Sequence, residues 1–302
     1  MKIANNILDL IGNTPMVKIG KLVGEKDATV LAKLEWYNIG GSIKDRAALY
    51  LIKKAEEEGR MNPDKIILEA TSGNTGIALA MISAVKGYKI AIVMPESVSV
   101  ERRKIIKAYG AELILSSATK GTGGAIELKQ HLLKENPDKY VDINQFKDPA
   151  NVLAHYETTG KEILEQSDEK VDMIVVGVGT AGTGVGISKR VKEFNPNIRI
   201  VGMTPKLGVS IQGLRNPKES YSTQLFNRDA FNEIIEITRE EMQTIFEVTR
   251  KLAREEGLFV GLSAGAIMYV ALKKAKELGR GKVIVAVLPD SGMKYLSTTL
   301  FE

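Results

Sequence analysis

The sequence predicts an α/β protein made of two open, twisted, mostly parallel sheets with helices on both faces. Three observations carry that expectation: short β-branched runs recur along the chain, the segments between them have the length of crossover helices, and turns rich in glycine or hydroxyl residues follow the strands. The first series of runs is ATVLAKLE at 28–35, IILEA at 66–70, KIAIVM at 89–94 and ELILS at 112–116. The second is DMIVVGV at 172–178, IRIVGM at 198–203, EIIEI at 233–237 and KVIVAVL at 282–288. Helices are predicted over 45–59, where apolar residues recur at helical spacing and a glycine ends the run, and over 74–86. Pro149 interrupts the pattern within 145–151, where the boundary between the units is hardest to place. There is no internal repeat and no low-complexity segment.

The composition fits this class: 302 residues, 44% hydrophobic and 26% charged, form a chain long enough for two domains. No apolar run approaches twenty residues, and MKIANNILDLIGNTP holds too short an apolar stretch for a signal peptide or membrane span, so a cytoplasmic location is expected. Cysteine is absent, which excludes disulfides, thiolate metal sites and cysteine nucleophiles. With only His131 and His155, a histidine metal site or a Ser/His/Asp triad is poorly supplied; no metal is expected, and both histidines read as structural. The net charge of +5 raises nucleic acid as a partner. However, the basic residues alternate with acids, as in KKAEEEGR and REEMQ, which is the pattern of solvated helix faces. Anionic small molecules remain compatible with it.

Four turns carry the chemistry. In GGSIKDR at 40–46, Lys44 stands at the mouth of a helix, where desolvation and the positive end of the helix dipole both favour the free amine that attacks carbonyls. Read alone it is equally one of many solvated lysines. In EATSGNTG at 69–76, Thr71, Ser72 and Thr75 present hydroxyls and backbone N–H groups suited to a carboxylate; helix capping by Ser72 or Asn74 is the other reading. GVGTAGTG at 177–184 is built as a phosphate cradle at a helix N-terminus. Gly177, Gly179 and Gly182 also satisfy the dinucleotide spacing, but IRIVGMTP at 198–205 offers no acidic residue for a ribose. In VGLSAGA at 260–266, Ser263 is either a ligand group or the N-cap of the next helix.

Taken together, GGSIKDR, EATSGNTGIALAM, GVGTAGTG, GLSAG and LPDSGMKYLST resemble the cysteine synthase family of pyridoxal-phosphate enzymes, from IGNTP at 11–15 nearly to the C-terminus. IQGLRNPKES at 211–220 and the ending YLSTTLF look most like the B-type O-acetylserine sulfhydrylases. The resemblance implies the fold of the tryptophan synthase β type, pyridoxal-phosphate fold type II. Its smaller domain would be residues 1–11 and 36–149, and its larger domain residues 12–35 and 150–302. It implies pyridoxal 5′-phosphate held by Lys44 through its aldehyde, by Asn74 at the ring hydroxyl, by Gly179, Thr180, Ala181, Gly182 and Thr183 at the phosphate, and by Ser263 at the pyridine nitrogen. A hydroxyl there does not force the nitrogen to carry a proton, which suits β-elimination more than transamination. Thr71, Ser72, Gly73, Thr75 and Gln145 would bind the carboxylate of a small amino acid. The implied reaction replaces a leaving group on Cβ with a sulfur nucleophile by way of an aminoacrylate, in two stages. A homodimer is implied too, together with a family habit of docking a serine acetyltransferase tail, which the B-type likeness disfavours.

Three departures bear on substrate choice. Ile39 stands where relatives usually have proline. Ala181 replaces a glycine or threonine in the cradle, a change expected to be tolerated at a negative φ. The segment 202–229 is expected to form the pocket entrance, with Arg215 and Asp229 as charged candidates: Arg215 for an anion such as thiosulfate or a phosphorylated serine, Asp229 as a base on water or a thiol. A solvent-exposed arginine and a turn aspartate are the plain alternatives. Two further functions remain open beside cysteine synthesis: release of sulfide from L-cysteine with formation of serine or lanthionine, and a binding protein that has lost catalysis.

Overall fold

The computed structural model describes residues 3–219 and 223–302. Along the chain, β1 (Met16–Lys18) and β2 (Thr29–Leu34) precede α1 (Lys44–Glu57). Then come β3 (Ile66–Ala70), α2 (Asn74–Lys86), β4 (Lys89–Pro95), α3 (Val100–Ala108), β5 (Glu112–Ser116), α4 (Gly121–Glu135) and β6 (Tyr140–Asp142). A helical stretch follows, α5 (Ala150–Ala154) and α6 (Gly160–Gln166), joined through a π-helical turn at His155–Thr159. The last part comprises β7 (Met173–Gly177), α7 (Gly182–Phe194), β8 (Arg199–Pro205), β9 (Glu233–Ile237), α8 (Met242–Glu256), α9 (Leu262–Leu278) and β10 (Val283–Leu288).

These strands form two sheets, as the periodicity predicts. One has the order β1-β2-β10-β7-β8-β9, the other β5-β4-β3-β6. Every pairing is parallel except that of β1 with β2. The four-stranded sheet is thus built entirely from the chain between β2 and β7. The eight expected strands are present within two residues at each end. The two additional ones, β1 and β6, have three residues each. An alternation that short carries no signal.

Period two divides each sheet's apolar residues between two cores. In the six-stranded sheet, Val175, Met203 and Ala286 face one core, while Ile174, Ile200 and Val285 face the other. In the smaller sheet, Ile67, Ile92 and Val141 lie on one side and Leu68, Val93 and Tyr140 on the other. Each such buried Val, Leu or Ile stabilises the fold by about 1.5–3 kcal/mol. Helix α1 buries Ala47, Ala48, Leu51, Ile52 and Ala55, a single stripe that seats it on the core of the smaller sheet.

One charged cluster is sealed between these layers. Arg46 on α1 bonds Glu35 Oε2 at 2.7 Å and Glu162 Oε1 on α6 at 2.5 Å, and Lys33 on β2 bonds Glu162 Oε2 at 2.7 Å. All four side chains are buried, with two charges of each sign. The network fixes the helix that begins at Lys44 to both β2 and α6.

No helix among the described residues is long and apolar enough to cross a membrane.

Candidate functional site

Five helices begin around one cavity. Lys44 stands at the start of α1, Asn74 and Thr75 at α2, Thr122 at α4, Thr183 at α7 and Ser263 at α9, and all of them line it. The placement follows from the topology: in a parallel sheet the C-terminal strand ends all open on the same edge, and the next helix starts there. Arg102 and Arg215 also line the cavity, and no aspartate or glutamate among the described residues does. Helix N-termini and guanidinium groups make the site a receptor for anions.

Lys44 is the nucleophile candidate. Its ammonium makes no hydrogen bond or ion pair with the described residues, and desolvation by the surrounding protein lowers its pKa to about 8. The side chain keeps partial exposure through the cavity. Because the neutral amine is the reactive form, capture of an aldehyde coenzyme by the coenzyme-free protein should accelerate between pH 6 and pH 8 and level off above about pH 8. Stopped-flow absorbance across that range checks this. A rate still rising tenfold per unit beyond pH 9 would mean an unshifted lysine.

In the same cavity, the turn between β3 and α2 presents Thr71, Ser72, Gly73 and Thr75. Thr75 Oγ1 donates to Gln145 Oε1 at 2.6 Å, which brings the loop after β6 onto the same wall, and Gly73 N donates to Thr71 Oγ1 at 3.1 Å. The capping alternative for this turn does not hold. Gly73 occupies the N-cap, no side chain caps the helix, and Asn74 turns its amide to Asp290 and Lys294.

The third wall is the turn between β7 and α7. The amides of Gly179, Thr180 and Ala181 donate no hydrogen bond among the described residues. The turn is closely packed: a Cβ on Gly179 would lie 2.5 Å from the carbonyl oxygen of Gly213, and one on Gly182 would overlap the Asn151 amide. Asn151 Nδ2 donates to Thr180 Oγ1 at 2.9 Å, and buried His155 stands 3.1 Å from Thr183 Oγ1 and 2.9 Å from Thr159 Oγ1. His155 is therefore a buttress behind the turn, while His131 sits on the surface beside Glu135. Burial, with Lys44 and Arg46 nearby, holds His155 neutral.

Two expectations require correction here. Ala181 has φ +69°, in the left-handed region, so the negative φ on which easy tolerance of its methyl depended is not met. The surrounding turn imposes that angle, at a cost of about 1 kcal/mol. Substituting glycine should raise Tm by about 2 °C in a chain of this size. Calorimetry of Ala181→Gly checks this; an unchanged or lower Tm would show that the methyl packing outweighs the strain. Second, Ser263 is not an N-cap. Gly261 holds that position, Ser263 is the second residue of α9, and its hydroxyl makes no hydrogen bond among the described residues. It is buried against the cavity.

The segment 202–229 contributes Gln212, Gly213, Leu214 and Arg215 to the cavity wall. Its residues 220–222 lie outside the described residues. Arg215 is held by Glu219 at 3.2 Å and lies over the Phe146 ring, 5.4 Å from its centroid, while one buried guanidinium nitrogen, Nη1, has no partner among the described residues. Asp229 does not belong to the cavity. It is exposed in a short turn, where Asn227 accepts its backbone N–H, the local geometry of a turn residue.

Residues that sequence reading missed complete the site. Arg102 on α3 donates to Gln212 Oε1 at 2.6 Å across the mouth. Asp290, Lys294 and Tyr295 surround Asn74 from behind. The motif LPDSGMKYLST was the only sign of the latter group. Among the described residues no three His, Asp or Glu side chains are grouped to hold a metal ion.

This geometry is that of a coenzyme-carrying enzyme, and comparison with known proteins agrees. The profile described as "Pyridoxal-phosphate dependent enzyme" matches residues 7–290, and the chain belongs to that family. A cysteine synthase of Staphylococcus aureus is 43% identical over the whole of this chain and 98% of its own length. A solved O-ureido-L-serine synthase superposes with TM-score 0.92 at 37% identity, covering 99% of this chain and 96% of that one. A hydrogen sulfide-producing enzyme of Fusobacterium nucleatum gives TM-score 0.88 at 40% identity, covering 97% of this chain and all of that one. The protein is a pyridoxal 5′-phosphate-dependent enzyme of the β-replacement type. The residues present fit the coenzyme: a low-pKa amine, amides on a glycine turn and the Ser263 hydroxyl, none with a partner among the described residues, line one cavity to which no described acid contributes.

Proposed function

We propose that the enzyme makes cysteine by β-replacement on O-acetylserine or a related activated serine, with sulfide or thiosulfate as the nucleophile. The observation that carries this reading is that Lys44, the turn 71–75 and the turn 179–183 line one cavity, with no acid on its wall among the described residues. Lys44 would hold the aldehyde carbon of the coenzyme, Gly179 to Thr183 its phosphate, Asn74 its ring hydroxyl and Ser263 its pyridine nitrogen. Bound there, pyridoxal 5′-phosphate supplies a sink for the electron pair released at the amino acid's α carbon. Thr71, Ser72, Gly73, Thr75 and Gln145 orient the amino acid by its carboxylate, so that the Cα–H bond faces Lys44. Lys44, with its lowered pKa, takes the α proton and later returns it. Ser263 would hold the ring nitrogen through a hydroxyl, which does not force a proton onto it and so suits loss of a β substituent. Arg215, with one guanidinium nitrogen unspent, attracts an anionic substrate toward the mouth.

Residues 1–11 and 36–149 would act as the smaller, mobile domain and 12–35 with 150–302 as the larger. Packing of Leu8 against the core of the four-stranded sheet supports the first assignment, and pairing of β2 with β10 the second. Closure of the smaller domain, across the Arg102–Gln212 contact, would exclude water from the site. Family likeness, together with exposed Ile7, Leu10, Val17 and Tyr37, supports a homodimer in the cytoplasm.

The hydrogen sulfide-producing relative supports a second reading, in which L-cysteine is the substrate and sulfide the product. Measuring kcat/KM for O-acetylserine with sulfide, and separately for L-cysteine alone, separates the two. The first reading expects cysteine synthesis to exceed sulfide release by at least about tenfold, a difference of roughly 1.4 kcal/mol in transition-state binding. Faster sulfide release would reverse the assignment.

A further inference from the structure

Behind Asn74 lies a polar cluster in which Lys294, Asp290 and Tyr295 have no part in the steps above. Lys294 is 5% exposed, and its ammonium nitrogen is 2.8 Å from Gly41 O, 3.4 Å from Gly40 O and 3.1 Å from Asn74 Oδ1. An ammonium has three hydrogens, and three acceptors surround this one. Asn74 in turn donates through Nδ2 to Asp290 Oδ2 at 2.8 Å, an oxygen that also accepts from the Tyr295 hydroxyl at 3.0 Å. Arg102 Nη2 stands 3.9 Å from the same carboxylate oxygen. Asp45 and Asp290 are the acids whose charges act on Lys294, and Arg102 is the opposing cation.

We propose that Lys294 is a positioning residue for the coenzyme, acting by fixing which way the Asn74 amide faces; the proposal rests on the reading of Asn74 as the partner of the ring hydroxyl. An amide's two ends have nearly the same shape, so packing alone does not choose between them. Here charge chooses. A cationic donor stands at one end and an anionic acceptor at the other, and only one orientation satisfies both. The amide oxygen must face Lys294, and the NH2 group must face Asp290. That leaves one Nδ2 hydrogen of a residue lining the cavity available for the ring hydroxyl. The same ammonium holds the carbonyls of Gly40 and Gly41, the turn that leads into Lys44. One side chain therefore sets the spacing between the coenzyme's aldehyde anchor and its hydroxyl partner, although Lys294 and Asn74 are 220 residues apart in sequence.

Titrating coenzyme-free protein with pyridoxal 5′-phosphate, and recording the absorption band of the bound coenzyme, tests this without an activity assay. Loss of a charge-assisted hydrogen bond network of this kind should raise the coenzyme dissociation constant about tenfold in Lys294→Met. The visible band should shift toward the near ultraviolet as the ring hydroxyl loses its oriented donor. Lys294→Arg, which keeps a cationic donor, should recover most of the affinity and the original band. Asn74→Ala should reproduce the Lys294→Met phenotype, and the double variant should be no worse than about twofold beyond Asn74→Ala alone, because both changes remove the same interaction. Losses that multiply in the double variant would overturn the proposal, as would a wild-type band and affinity in Lys294→Met. If Asn74→Ala alone changes neither quantity, the reading of Asn74 itself fails. If Lys294→Met does not fold, Asp290→Asn keeps the shape but removes the anionic acceptor; an unchanged band there overturns the proposal, and the same shift supports it.

Discussion

Replacing Lys44 by alanine is expected to lower kcat for β-replacement by at least about 10³-fold, since one amine both anchors the coenzyme and moves the α proton. Among the described residues nothing else lining the cavity can take over: no acid lines it, and a guanidinium, as of Arg102 and Arg215, is no nucleophile for an aldehyde. The effect should not come from unfolding. The Lys44 ammonium is desolvated and has no hydrogen-bonding partner among the described residues, so removing it relieves a penalty and breaks none of their bonds. Steady-state rates and a thermal melt of the coenzyme-free variant check both halves. A loss under tenfold, or a large drop in Tm, would contradict the assigned role.

Replacing Arg46 by methionine is expected to destabilise the protein by about 3–5 kcal/mol, the cost of breaking a buried ion network from one side. The substitution would leave Glu35 and Glu162 buried with Lys33 as the remaining cation of the cluster. The same network predicts an acid dependence. Burial alone would raise the Glu162 pKa, but hydrogen bonds and charge from Arg46, with Lys33, outweigh it and bring it down from 4.5 to about 2. A depressed carboxylate contributes stability that is complete above its unfolded pKa and is lost as pH falls through the folded one. Wild-type protein should therefore lose about 3 kcal/mol from this group between pH 4.5 and pH 2, and Arg46→Met much less. Urea unfolding at several pH values measures both. Equal acid sensitivity in the two proteins would show that Arg46 is not what holds Glu162 ionised.

What could be read from the chain follows the range of the interactions. The strand of β7 and the crossover helices repeat their pattern over five or more residues, and they lie where periodicity puts them. The glycine turn at 177–184 and the Thr/Ser turn at 71–75 were legible because backbone approach and hydroxyl presentation depend on residue type alone. The cap readings of Asn74 and Ser263 failed for a local reason: Gly73 and Gly261 stand at the cap positions, which frees both side chains for the cavity. The left-handed angle of Ala181 is imposed by its packed surroundings and leaves no mark on sequence. Arg102 and Lys294 were hidden because their partners, Gln212 and Asn74, are 110 and 220 residues away. Such pairs come into view only once the chain has folded.

Two lysines with lowered pKa values stand near the cavity, partly exposed Lys44 facing into it and buried Lys294 behind Asn74, and of the two ammonium groups only the first makes no hydrogen bond among the described residues. Borohydride reduction of the coenzyme-loaded protein, followed by proteolysis and mass analysis, identifies which amine carries the coenzyme. The account predicts a single phosphopyridoxyl group on the peptide containing Lys44. A label on Lys294 or any other lysine, or no label at all, would contradict it.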